Sequence, residues 1–143
     1  MLSKKALLGG LIMSVGAVSF SYADCDGTAL HDNMGSLKTE MKSLAFDVKK
    51  ENFASADQRI DTIIAVLKEA REETPYLFVE KGLSGDKLAA RKADYQSVID
   101  ETITAFMALD GALEAKDSSK AKTMLGEIGK LRKKGHRAFK TDC

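Results

Sequence analysis

The stretch Leu30–Val48, LHDNMGSLKTEMKSLAFDV, places an apolar residue at Leu30, Met34, Leu37, Met41, Leu44 and Val48. The steps alternate between four and three, which draws one stripe down one side of an α-helix. Polar and charged side chains fill the other sides, so a helix from about Thr28 to Lys49 is predicted, with one face for a core and the rest for water. A single amphipathic helix cannot bury its own stripe. The remainder of the chain must supply partners for it.

Three further segments do so. ENFAS interrupts the first stripe, and Ser55 is expected to cap a second helix bearing Ile60, Ile63, Ile64, Leu67 and Ala70, which the only proline, Pro75, stops after Thr74. The connector YLFVEKGLSG offers Gly82 and Gly85 as turn residues and has room for a short helical turn. A third helix from about Asp86 to Ala115 presents Leu88, Tyr95, Val98 or Ile99, Thr102, Phe106, Leu109 and Leu113. KDSS then turns the chain, Ser118 or Ser119 caps, and a fourth helix carries Ala121, Leu125, Ile128, Gly135 and Phe139. No segment alternates with a period of two. The pattern predicts an all-α fold, an antiparallel up-down-up-down four-helix bundle, with both chain ends at the same end.

The residues before this bundle read differently. MLSKKALLGGLIMSVGAVSFSYA joins Lys4 and Lys5 to an apolar run from Ala6 to Phe20 and a small-x-small site at Ser21-Tyr22-Ala23, the layout of a secretory signal peptide spanning residues 1–23. Residues 24–143 then form one exported domain with no membrane attachment after cleavage. Losing Lys4 and Lys5 leaves 20 basic against 21 acidic residues, a near-balance that does not suggest nucleic acid or an anionic lipid surface as partner. Export permits thiol oxidation, and the two cysteines, Cys25 and Cys143, stand at the two ends of the mature chain. An intramolecular Cys25–Cys143 disulfide in a monomer is expected, with a loop-entropy benefit of roughly 4 to 5 kcal/mol, the alternatives being two unpaired thiols or a bridge between two chains.

One place breaks the bundle pattern. At 100° per residue the stripe of the fourth helix is centred on Ala121, Ile128 and Phe139, and Arg132 lands almost on that centre. Gly135 lies about 40° to one side and His136 about 60° to the other, so the last two turns lack the bulk a core would want. Gly126, Gly129 and Gly135 each weaken a helix interior by up to about 1 kcal/mol relative to alanine. Neighbouring helices one and four set the first turns of one beside the last turns of the other. Met34 is thereby expected to face His136 across the bundle, with His31 on the flank. A thioether and an imidazole are an axial pair for haem iron.

The segments LHDNMGSLKTEM, KEAREETP and LRKKGH resemble the cytochrome b562 family, over about Asp24 to Lys140. The resemblance implies a four-helix bundle holding one non-covalent haem b near the end where the termini meet. Its axial methionine falls on Met34 and its axial histidine on His136. The related cytochromes c′ attach haem through C-x-x-C-H, whereas Arg132, Lys133, Lys134 and Gly135 precede His136 here. Arg132 is given a packing or electrostatic role at the porphyrin edge, Gly135 is expected to leave room for the ring, and Arg137 and Lys140 are candidates for exposed propionates. Gly35 after Met34 and Gly135 before His136 depart from the family's usual residues, and His31 is a possible competing ligand.

The function expected is electron transfer in the periplasm, without catalysis, to redox partner proteins that the sequence does not name. A haem-free periplasmic bundle that has lost the cofactor is the alternative. A copper site formed by Met34, His31 and His136 is a weaker one. Histidine–nucleophile pairs and the Glu-x-x-His motif of di-iron bundles are absent from the sequence.

Overall fold

The computed structural model describes residues 27–141 and is all-α, with no strand among the described residues. The expected signal peptide and the Cys25–Cys143 bridge lie outside the described residues. Four long helices, α1 (Ala29–Lys49), α2 (Phe53–Glu72), α4 (Gly85–Glu114) and α5 (Ser118–Phe139), are joined by short turns and by one five-residue helix, α3 (Tyr76–Glu80). Gly82 and Gly85 turn the chain after α3 with φ of +62° and +56°, a region in which a side chain is strained.

The helix starts differ from their sequence reading at two caps. α2 begins after Asn52, and Ser55 lies inside its first turn, where its hydroxyl donates to Asp47 Oδ2 at 2.8 Å. Asp47 is the buried charged residue of the core, and Arg59 donates to it at 2.5 Å while reaching Glu40 at 3.2 Å. This network joins α1 to α2, and the Arg59 guanidinium, followed by the Ser55 hydroxyl, holds the Asp47 carboxyl below its ordinary range. A serine engaged with a buried carboxylate is not available as a cap. At the start of α5 the cap is Asp117, which accepts from the Lys120 N–H at 3.0 Å, in place of Ser118 or Ser119. Ser118 is occupied with Glu51, at 2.8 Å.

The core follows the predicted stripes: Leu44 and Val48 from α1, Ile60, Ile63 and Leu67 from α2, Phe106, Leu109 and Leu113 from α4, and Ala121 and Ile128 from α5 are buried. Ile103 and Ala105 join them without having been predicted. Thr102 is half-buried and turns its hydroxyl to the Val98 carbonyl at 2.7 Å.

Ends of four helices meet in an aromatic cluster. The Phe139 ring packs edge-on against Tyr95 (5.5 Å between centroids) and Phe78 (6.0 Å). The Arg91 guanidinium lies over both phenyl rings, 5.0 Å from Phe139 and 5.6 Å from Phe78, and donates to the Ala138 carbonyl at 3.0 Å. The Tyr95 hydroxyl donates to the Ala70 carbonyl near the end of α2, and burial pushes its pKa up.

An acidic group gathers a helix length away. Asp110 of α4 has an Oδ1 that is buried with no hydrogen-bond partner among the described residues. Burial first, then the neighbouring Asp57, Glu114 and Asp61, pushes its pKa up to about 6 from 3.8. The folded chain therefore holds a proton here that the unfolded chain has already released, so stability falls as pH rises from about 4 to about 6. Solvent screening trims the penalty to about 1 kcal/mol. Asp110→Asn should raise stability by about that amount at pH 7 and leave it unchanged below pH 4, as read by urea melts across pH.

Candidate functional site

The four residues singled out from the sequence sit on two helices. Met34 is in the second turn of α1, and Arg132, Gly135 and His136 are in the last turns of α5. The Ser118–Glu51 hydrogen bond fastens the start of α5 to the turn that follows α1. Helical rise carries α1 about 26 Å back from that contact to Met34, and α5 about 27 Å on to His136, so the two residues are level in distance along their helices from it.

At that level the two helices are only partly covered. α1 packs chiefly on α2 and α5 chiefly on α4, and α1 and α5 touch each other little. Leu44 and Val48 in the second half of α1 are 0% and 1% exposed, yet Leu30, Met34, Leu37 and Met41 before them are half-buried. Leu131 of α5, shortly before His136, is half-buried too, as are Met124 and Leu125 nearer the Ser118 end. The apolar stripe of α1 is thus sealed at the Glu51 end and half-open at the Met34 end.

This packing also explains Arg132. Its place on the helical wheel is near the centre of the apolar stripe, but the side chain is exposed. The covered side of α5 is turned toward Leu131, Gly135, Ala138 and Phe139, because α4, and not α1, supplies most of its contact. His136 lies outside that arc. Its side chain is reached by solvent but partly desolvated; burial, then the positive charges of Arg132 and Lys140, hold its pKa below the ordinary 6.5. The imidazole is accordingly neutral at neutral pH, the form with a nitrogen lone pair for a metal. His31 is exposed in the first turn of α1, where its N–H donates to Thr28 Oγ1 at 3.1 Å.

Gly135 has a different neighbour from the one expected. A Cβ built on it would meet Val98 Cγ1 of α4 at 3.4 Å, an ordinary contact, so Gly135 faces α4 with room for a methyl and no more. Gly126 and Gly129 have open space where a Cβ would stand. The residue that sequence reasoning missed is Arg91. A cation held between two rings from different helices leaves no local pattern; only Tyr95 and Phe139 at stripe positions hinted at the cluster.

A family model for cytochrome b562 matches residues 29–140. The chain belongs to the cytochrome b562 family. No curated protein and no solved structure matches it. Cytochromes b562 are four-helix bundles that bind haem b non-covalently and carry electrons. The residues present suit such a group: a thioether and a neutral imidazole stand level, each on a helix whose apolar side is half-covered there. The turn Arg132-Lys133-Lys134-Gly135-His136 contains no cysteine through which a cofactor could be attached. Among the described residues no three or more His, Cys, Asp or Glu are grouped to hold a metal ion.

The Val98 contact gives Gly135 a test of its own. Gly135→Ala places its methyl at ordinary contact distance and should gain up to about 1 kcal/mol from helix propensity. Gly135→Leu, forced against Val98, should lose about 1 to 3 kcal/mol. Urea melts of the two variants check the signs.

Proposed function

We propose that this chain is a periplasmic electron carrier that holds one haem b without covalent attachment, with the Met34 thioether and the His136 imidazole as its axial ligands. Residues 1–23 direct export, residues 24–143 form an antiparallel up-down-up-down bundle, and the mature protein is a monomer closed by a Cys25–Cys143 disulfide. The single observation that carries the reading is the thioether and imidazole standing at one level beside half-covered apolar faces of α1 and α5. Membership of the cytochrome b562 family supports it.

When bound, the haem supplies one-electron redox chemistry. The chain does the rest. Leu30, Leu37 and Met41 of α1 and Leu125 of α5, each half-buried, offer the apolar surface such a group would rest on. The Met34 thioether favours the reduced form and raises the potential. Burial and the Arg132 and Lys140 charges keep His136 unprotonated and ready to ligate. Arg132, one turn before His136 and exposed, sets a positive charge at the edge of the site. Gly135 faces Val98 of α4 and adds no bulk to this turn of α5. Met34 and His136 would together hold the iron through side chains and leave no position for a substrate, which fits a carrier and not an enzyme.

Titrating the mature protein with haemin tests the reading. One equivalent should be taken up, with sharp α and β bands after dithionite reduction, and Met34→Ala and His136→Ala should each lose those bands while keeping the helical circular dichroism. A protein that stays colourless would refute the reading and favour a haem-free bundle.

A further inference from the structure

Charge on this chain is segregated in a way that its near-zero total conceals. Between Lys120 and Lys140 stand eight basic residues and one acidic residue, Glu127, whereas residues 24–119 carry 12 basic and 19 acidic ones. α5 is the positive face of an otherwise negative molecule. In its second half Lys130, Lys133, Lys134 and Arg137 are exposed and, with Ala138, line a shallow groove; Lys140 beyond them is exposed as well. Complementing the helix dipole accounts for cations in the last turn only. The row runs further back than that.

These cations are largely uncommitted. Lys130 meets Glu127 at 2.8 Å and Lys134 meets Glu101 at 3.1 Å, both in exposed pairs that water weakens. Lys133, Arg137 and Lys140 make no ion pair among the described residues. The exposed large apolar side chains, Phe46, Val79 and Met107, lie on α1, α3 and α4 and not on α5. A lipid-binding helix would set aromatic or leucine side chains beside its lysines. A face of charge without an apolar anchor suits fast, short-lived docking to a surface of opposite sign. By helical geometry Lys140 lies about 40° and Lys133 about 60° around α5 from His136, so the row borders the candidate ligand.

We propose that the second half of α5 is the docking face for a redox protein whose own contact surface is acidic. The proposal rests on the electron-carrier reading. It adds the sign of the partner's charge and the face at which the electron leaves or enters.

Two small oxidants of opposite charge test it on the reduced, haem-loaded mature protein. One electron passes from the protein to hexacyanoferrate(III), a trianion standing in for an acidic surface, giving hexacyanoferrate(II), or to tris(phenanthroline)cobalt(III), a trication, giving the cobalt(II) complex. The rate constant with the anion should fall as salt is added. At low salt it should be lowered about tenfold by combining Lys130→Glu with Lys133→Glu, while the rate with the cation rises and the two proteins converge at high salt. A readout that needs no haem is line broadening by hexacyanochromate(III), a redox-inert paramagnetic trianion, which should fall on amides of Lys130–Lys140 in both haem-loaded and haem-free protein. Rates blind to charge in a protein that loads haem, or broadening spread evenly over the surface, would overturn the docking face alone. Failure to load haem would overturn the electron-carrier reading and the proposal with it. Pelleting with phosphatidylglycerol vesicles at physiological salt would assign the face to a membrane, and self-association at low salt that the double variant abolishes would assign it to a second copy; either overturns the proposal.

Discussion

The end of the bundle that bears His136 depends on one ring. Phe139 sits edge-on between Tyr95 and Phe78 with the Arg91 guanidinium across it, and each of these partners comes from α3 or α4. Tyr95 extends the tie to the Ala70 carbonyl of α2, so one cluster fastens α2, α3, α4 and α5 at a common point. Edge-on aromatic pairs contribute about 0.5 to 1.5 kcal/mol each beyond burial, and the cation over the rings adds to that. α1 has no part in this cluster. Its first half is left half-covered, while its second half is held by the burial of Leu44 and Val48, by the Asp47–Arg59 network and by the Glu51–Ser118 contact just beyond it.

That asymmetry builds the candidate site. α5 is pinned on the face bearing Phe139 and Gly135, which turns His136 away from α4, while α1 is pinned far from Met34. The ligand candidates are therefore carried by two helices that touch each other little, on ground that is apolar yet not sealed. A flat apolar group with an open coordination axis matches such a setting, and the family to which the chain belongs binds one. The depressed pKa of His136 follows from the same placement, since the ring is partly desolvated and shares its helix end with Arg132 and Lys140.

Much of this was legible before any coordinates. The steps of three and four in α1 and the long stripe of α4 located both helices to within a residue or two, because apolar spacing is a direct record of which side faces the core. Caps were less legible. Ser55 has the right chemistry for a cap but is claimed by Asp47, a residue eight positions earlier, and only folding brings them together. Arg132 was misplaced for a related reason: a helical wheel weights all neighbours equally, whereas α5 leans on α4 and rotates Arg132 out to water. Gly135 was read as space for a ring, and the neighbour it faces, Val98 of α4, could not be read from its own helix. The near-zero net charge hid the basic face of α5, because a sum over the chain discards where the charges lie.

The central claim is that the Met34 sulfur is an axial ligand opposite His136, and the reduction potential reports it most directly. Spectroelectrochemical titration of the haem-loaded mature protein and of Met34→His should give a clearly lower potential in the variant, with a six-coordinate spectrum retained, because an imidazole favours the reduced state less than a thioether does. An unchanged potential in Met34→His would contradict the account and place the ligand elsewhere on the chain.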